Sequence, residues 1–128
     1  MTANPPESSL CVACIQTEPV MGDKARNTRD TLERIAEAAA AGANLVVLPE
    51  LCNTGYVFET RAEAFALAET IPEGETTATW LKAAERHQLT VVAGITEREG
   101  DVLYNSAVVV GPQGVVGRYR KKIGRAHV

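Results

Sequence analysis

Hydrophobic residues along the chain follow two patterns, which predict two kinds of secondary structure. Continuous apolar runs predict β-strands, and apolar residues spaced by three and four positions predict amphipathic helices. The runs predict strands at residues 10–17, 44–48, 89–95, 102–110 and 115–120. The helical spacing predicts helices at about 23–41, 61–69 and 76–88, with Gly42 capping the first and Pro72 and Gly74 separating the other two.

The order of these elements predicts an α/β sheet with helices packed on it. The NLVVL run at 44–48 is continuously apolar, as expected of a strand covered on both faces. Gly111-Pro112-Gln113-Gly114 predicts a tight turn, so 102–110 and 115–120 should form a hairpin. The switch from crossovers to a hairpin argues against a simple doubly wound fold. No helix follows these glycines, which excludes a phosphate loop.

Composition and charge narrow the class of protein. The chain has 128 residues, of which 45% are apolar and 23% charged, as expected of one soluble domain after a loose lead-in at residues 1–9. A net charge of -3 from well-mixed signs makes nucleic acid an unexpected partner. No apolar run approaches the roughly 20 residues of a membrane helix, and the start lacks signal-peptide features, so we expect a cytoplasmic protein.

The three cysteines, Cys11, Cys14 and Cys52, suggest neither a disulfide framework nor a metal site. Cys11 and Cys14 form a C-x-x-C, but on a predicted strand residues three apart point to opposite faces. A zinc site would also need a second close pair. We therefore expect free thiols in a reducing compartment and no metal.

Two charged residues stand where chemistry could occur. Glu50 directly follows the most apolar strand, where partial desolvation could tune a carboxylate to act as a base. The alternative is a solvated strand-end glutamate. Lys121 lies in the cationic run RYRKK, where one inward-facing cation could stabilise an oxyanion. The alternative is a charged edge that blocks strand pairing, and from spacing alone that alternative is favoured.

Around these two residues the sequence resembles the nitrilase, or carbon–nitrogen hydrolase, superfamily. The resemblance rests on five strings in family order, and it covers nearly everything from Cys11 to Lys121. The strings are VACIQTEPVMGD, AGANLVVLPELCNTGY, VVAGITE, LYNSAVVVGPQG and GRYRK. The resemblance implies the first half of a four-layer α-β-β-α sandwich, formed by residues 10–122.

The resemblance also implies an activity. Such enzymes use a Glu-Lys-Cys triad without metal or organic cofactor, and most associate into homo-oligomers. By the PE and YRK motifs, Glu50 resembles the general base and Lys121 the oxyanion-stabilising lysine. The expected substrate is a small carboxamide, carbamoyl amide or nitrile, with PELCNTGY favouring the amidase type. Tyr56 could line the pocket or simply pack in its loop. Asn105 is expected to bond backbone rather than a ligand. Glu97 could support the lysine from a neighbouring strand, but a solvated strand-end carboxylate is favoured.

The chain departs from the family pattern in its last part. The family's nucleophilic cysteine and its second glutamate lie downstream of the lysine, so we expect the chain alone to be inert and to expose an apolar patch. Cys52 is expected to pack rather than react. Ile123 replaces the usual histidine, and residues 123–128 spell what a common sequencing-adapter string encodes in frame, which suggests an artefact. The alternative function is a non-catalytic α/β binding or assembly module.

Overall fold

The computed structural model describes residues 9–122, which form three helices and five strands. Their order matches the order predicted from the sequence. The elements are β1 (Val12–Cys14), α1 (Lys24–Ala40), β2 (Leu45–Val47), α2 (Arg61–Leu67), α3 (Glu75–His87), β3 (Thr90–Glu99), β4 (Val102–Gly111) and β5 (Gly114–Lys122).

The five strands form one mixed sheet in the order β1-β2-β3-β4-β5. The first three strands are parallel, as crossovers through α1 and through α2 and α3 require, and β3, β4 and β5 are antiparallel. The predicted hairpin between β4 and β5 is present. A second hairpin between β3 and β4 was not predicted, and Gly100, with φ of 60°, occupies its turn.

The first strand is shorter than its apolar run suggested. Its ladder with β2 pairs only Val12–Cys14 with Leu45–Val47. Because β1 is an edge strand, its length is limited by the short β2 beside it rather than by its own composition. The predicted strand at residues 10–17 was therefore too long at both ends.

Helix α1 begins and ends close to the predicted positions. The Asp23 side chain caps its first turn by accepting a hydrogen bond from the Arg26 amide at 3.1 Å. The C-terminal cap is Ala41, one residue before the predicted cap, and Gly42 follows it with φ of 94°. Glycine tolerates this left-handed conformation, which ends the helix and turns the chain into β2.

Helices α1 and α3 cover one face of the sheet. Trp80 of α3 and Ile35 of α1 are fully buried there against Val46, Val91 and Val108. The Trp80 indole also donates a hydrogen bond to the Thr31 hydroxyl of α1 at 3.0 Å. This bond satisfies the one polar atom of a large apolar side chain and ties the two helices together.

The opposite face of the sheet is only partly covered in residues 9–122. On β2, Val46 is buried while Leu45 and Val47 are half-buried, so the prediction of a strand covered on both faces was wrong for this part of the chain. Strand alternation and register place Val12 on the same face as Leu45 and Val47, and 44% of it is exposed. Leu103 of β4 also lies on this opposite face, and Ala64 and Phe65 of α2 pack against it, so α2 covers one end of the face.

Two predictions fall outside the described residues. The lead-in is described only at Ser9, and the suspected adapter-derived segment 123–128 lies beyond Lys122, so both remain predictions. Within residues 9–122, no helix is both long enough and apolar enough to cross a membrane.

Candidate active site

Glu50 is positioned by a close approach between the segment after β2 and strand β3. Leu48 donates its amide hydrogen to Val92 O at 2.8 Å, and Pro49 O accepts one from the Gly94 amide at 3.1 Å. A β-carbon at Gly94 would lie 2.4 Å from the Glu50 Cα atom. Only glycine permits this approach, which brings Glu50 to the carboxyl end of β2.

The loop that follows Glu50 is anchored by a buried amide. Asn53 is fully buried; its Oδ1 accepts a hydrogen bond from the Thr96 amide at 3.2 Å, and its carbonyl accepts one from Asn27 Nδ2 at 3.0 Å. The Thr54 and Thr96 hydroxyls are also hydrogen-bonded at 2.7 Å. These bonds fix the loop on β3 and α1, so Glu50 projects from a rigid support.

Asn105 lies between the two residues singled out in the sequence. On β4 it is the direct register partner of Lys121 on β5. Its side-chain Nδ2 donates a hydrogen bond of 2.6 Å to Glu50 Oε1. The expectation that Asn105 bonds backbone was therefore wrong, because the hairpin turns its amide toward the Glu50 carboxylate.

Glu50, Asn105 and Lys121 line a single shallow depression of about 260 Å³. Tyr119, which precedes Lys121 on the same face of β5, lines it too, together with Val92, Gly94 and Ala107. Both Glu50 and Lys121 are exposed, so a solute can reach them. The structure thus brings together two charges of opposite sign that are 71 positions apart in the sequence.

Tyr56 is not part of this depression. It is 68% exposed on the loop after Asn53. Its role in binding substrate stays a prediction.

None of the three cysteines lines the depression. Cys52 is 1% exposed, and its Sγ lies 3.3 Å from Gly94 O. Burial raises the pKa of the Cys52 thiol to about 12, which keeps it protonated at neutral pH. Cys11 and Cys14 are exposed, and Cys14 lies on β1, at the other end of the strand order from β5.

Glu97, which was predicted to be solvated, lies on the helix-covered face of the sheet. Glu97 is fully buried rather than solvated, because Arg118 and Arg120 of β5 reach across β4 to it. Its carboxylate accepts hydrogen bonds from Ser106 Oγ at 2.6 Å, from Arg118 at 2.9 Å and from Arg120 at 2.9 and 2.7 Å. Burial alone would raise the pKa of Glu97, but these hydrogen bonds and positive charges outweigh it and lower the pKa below its ordinary value.

A second buried carboxylate, Glu69, was not singled out in the sequence at all. It accepts hydrogen bonds from the Thr76 amide at 2.7 Å and from the Thr76 hydroxyl at 2.5 Å, and it pairs with Lys24 at 3.1 Å. Because Gly74 at the N-cap of α3 has no side chain, Glu69 supplies the missing cap. Only the folded chain brings Glu69 to that helix end. In residues 9–122 no three His, Cys, Asp or Glu side chains converge on a position for a metal ion.

Comparison with known proteins assigns the chain to a family. The family model described as Carbon-nitrogen hydrolase matches residues 11–123, so the chain belongs to the carbon–nitrogen hydrolases. The chain is 52% identical over 110 residues to a nitrilase of Pyrococcus abyssi (strain GE5 / Orsay), covering 86% of this chain and 42% of that protein. It is 35% identical over 125 residues to the chloroplastic omega-amidase of Arabidopsis thaliana, covering 93% and 32%.

Solved structures agree on the fold. An N-terminal amidase crystallised with an Asn-Glu-Ala peptide superposes with a TM-score of 0.80 at 27% identity, covering 92% of this chain and 29% of that one. A carbon–nitrogen hydrolase from Helicobacter pylori G27 gives 0.78 at 26% identity, covering 92% and 41%. The fold is therefore nitrilase-like α/β, and the chain spans less than half the length of these relatives.

Proposed function

We propose that this chain is the amino-terminal part of a thiol-dependent hydrolase that cleaves non-peptide carbon–nitrogen bonds in small amides or nitriles. The observation that carries the proposal is the shared depression in which Glu50, held by Asn105, lies with Lys121. A carboxylate and an ammonium at one accessible site can supply a general base and an electrostatic stabiliser.

In the proposed reaction, a cysteine sulfur attacks the carbonyl carbon of an amide while Glu50 accepts the thiol proton. Lys121 stabilises the negative oxygen of the tetrahedral intermediate. Glu50 then gives the proton to the departing nitrogen, leaving a thioester. Water attacks the thioester as Glu50 accepts its proton; the carbon–sulfur bond then breaks, Glu50 returns the proton to the cysteine sulfur, and the acid is released.

The chain's own cysteines do not suit the nucleophile's role. Cys52 is buried with a raised pKa, and Cys11 and Cys14 do not line the depression. We therefore propose that residues beyond Lys122, in a longer chain, supply the thiol, and that the 128-residue chain alone is inactive. Its free thiols support a reducing, cytoplasmic location. The string PELCNTGY favours a carboxamide over a nitrile.

The test uses the gene extended beyond the codon for Lys122, expressed as a complete enzyme, with ammonia release from carboxamides and nitriles as the assay. We expect Glu50→Gln and Lys121→Met each to lower kcat/KM by about 10²–10⁴-fold, the range for a positioned proton-transfer group or oxyanion donor. Matched controls are Glu73→Gln and Lys82→Met, which change exposed residues that do not line the depression.

Two outcomes would contradict the proposal. The first is steady amide hydrolysis by the 128-residue chain that Glu50→Gln abolishes, because the nucleophile would then lie within it. The second is an extended chain that has no downstream cysteine and no hydrolytic activity. This result would favour the non-catalytic binding or assembly module.

A further inference from the structure

The cationic run at the end of β5 presents several candidates for the position beside Glu50. Arg118, Arg120 and Lys121 all lie in this strand, and alternation sends neighbouring residues to opposite faces. In the structure Tyr119 and Lys121 line the depression, whereas Arg118 and Arg120 reach Glu97 on the helix-covered face. A shift of β5 by one residue would exchange these two sets.

A bulge in β5 sets the observed register. From the turn, Gly111 pairs with Gly114 and Val110 with Val115, but the next pair is Val109 with Gly117. Val116 is therefore left without a partner on β4, and it is 72% exposed. Such an extra residue shifts all later pairs of the hairpin by one position.

Without the bulge, the same turn would lead to a different site. Pairing would continue as Val109 with Val116, and four steps later Asn105 would face Arg120 instead of Lys121. Lys121 would then face Tyr104, on the side of the sheet that carries Glu97. The regular hairpin thus competes with the observed one, and it would place a guanidinium beside Glu50.

Interactions on the helix-covered face favour the bulged register. Arg118 and Arg120 give the buried Glu97 carboxylate three hydrogen bonds of 2.7–2.9 Å. The Arg120 guanidinium also lies 4.4 Å from the centre of the Tyr104 ring. In the regular hairpin both arginines would leave this face, and the single ammonium of Lys121 would replace two planar guanidinium groups.

We propose that Glu97 is a positioning residue: by binding Arg118 and Arg120 it holds β5 in the bulged register, which places Lys121 rather than Arg120 in the depression. The inference deepens the proposed function and rests on it for the role of Lys121. Glu97 does not line the depression. It also accepts a hydrogen bond from Ser106, which lines the depression, but Ser106 keeps its place on β4 in both registers, so the choice between Lys121 and Arg120 depends on the contacts of Glu97 with β5.

Disulfide trapping in the 128-residue chain measures the register without catalysis. A cysteine introduced by Gly117→Cys would face Val109→Cys in the bulged register and Val108→Cys in the regular hairpin. A β-carbon at Gly117 meets no heavy atom of residues 9–122 within 4 Å. Cys11→Ser and Cys14→Ser remove the exposed native thiols. We expect the yield of the 109–117 disulfide to exceed that of the 108–117 disulfide by about tenfold or more. Glu97→Gln should make the two yields nearly equal.

Two further variants separate register from general stability. Glu99→Gln is the matched control, because Glu99 contacts the same arginines but is 63% exposed; it should keep the 109–117 preference. Deleting Val116 removes the extra residue, so a regular hairpin would itself place Gly117 opposite Val109. Glu97→Gln combined with this deletion should therefore restore the 109–117 link.

In the extended enzyme, Glu97→Gln should lower kcat, and Glu97→Gln combined with deletion of Val116 should restore it. KM should change little in either variant. An unchanged cross-link ratio in Glu97→Gln, or an equal change in Glu99→Gln, overturns the inference. So does a double variant that fails to fold or to restore the link, because Glu97 would then serve stability alone. If trapping succeeds while Lys121→Met keeps full activity, the register inference stands and the proposed function fails.

Discussion

At the scale of single residues, three glutamates differ in chemistry because they differ in surroundings. Glu50 is exposed and its Oε1 accepts a hydrogen bond from Asn105, so the carboxylate is both aligned and accessible for proton transfer. Glu69 and Glu97 are buried and saturated with donors. The first is suited to react, and the other two are suited to hold backbone and strands in place.

Removal of the Asn105 amide should leave the Glu50 carboxylate present but poorly aligned. We expect Asn105→Ala to lower kcat of the extended enzyme by about 10²-fold with a smaller change in KM, because a misplaced base loses its alignment. Asn105→Asp should lower kcat further, since it places a second carboxylate against the first. Steady-state kinetics with urea unfolding as a stability control check this. Full activity in both variants would mean that Glu50 needs no support from Asn105.

The burial of Cys52 predicts a difference in thiol reactivity within the folded 128-residue chain. Iodoacetamide at pH 8 should modify Cys11 and Cys14, which are exposed, and spare Cys52, whose thiol stays protonated at that pH. Peptide mass mapping would show two modified cysteines in the native chain and three in guanidinium chloride. Labelling of native Cys52 at the rate of the other two would contradict its burial.

At the scale of elements, the approach between the Glu50 segment and β3 depends on one missing side chain. Gly94→Ala places a methyl group 2.4 Å from the Glu50 Cα atom, so the segment must move. We expect a loss of about 1–3 kcal/mol in the free energy of unfolding, the usual range for overpacking, and a fall in activity of the extended enzyme. Urea unfolding measures the first effect.

Gly117→Ala is the matched control for this change, because a β-carbon at Gly117 meets nothing within 4 Å in the part of the chain that the structure describes. It should leave unfolding within about 1 kcal/mol of the wild type. Equal losses in the two variants would show that strand propensity, and not the close approach, explains the effect at Gly94.

The link between β3 and β5 through Glu97 predicts a pH-dependent stability. The pKa of Glu97 is lowered in the folded state, so its contribution is full above the unfolded pKa of about 4.3 and is lost as pH falls through the folded value. The wild type should exceed Glu97→Gln by about 1–3 kcal/mol at pH 7. The difference should shrink below about pH 4. Urea unfolding at several pH values tests this, and a constant difference would contradict it.

At the scale of the whole molecule, the sheet has one face packed against helices and one that is partly open in the described residues. Val12, at 44% exposure, lies on the open face beside half-buried Leu45 at one edge of the sheet, and Tyr119, at 75%, lies on the same face at the other edge. Exposed apolar surface of this kind promotes association. The depression with Glu50 lies on the same face, so whatever covers this face also encloses the site.

From this exposed apolar surface we predict that the 128-residue chain self-associates. Sedimentation velocity should show concentration-dependent association, and Val12→Lys should weaken it by about tenfold because the ammonium must be desolvated at the contact. Ala36→Lys, on the exposed side of α1, is the matched control and should have little effect. A monomer at all concentrations, or an equal effect of both variants, would contradict association through the sheet.

Patterns in the sequence were enough to predict the order of the elements and the family, and they pointed to the two charged residues of the candidate site. Apolar runs and helical spacing predicted α1, α3 and the hairpin of β4 and β5 because these patterns are local. The PE and YRK motifs identified Glu50 and Lys121, although their catalytic roles remain proposals.

Which of these residues meet depends on the three-dimensional fold. The hydrogen bond from Asn105 to Glu50, the burial of Glu97 by two arginines and the cap that Glu69 gives to α3 all join positions distant in sequence. The same strand pattern is compatible with two registers of β5, since the side-chain period of two does not distinguish Arg120 from Lys121. That distinction is made by pairing across the sheet, by the bulge at Val116 and by the ion pairs of Glu97 on the helix-covered face.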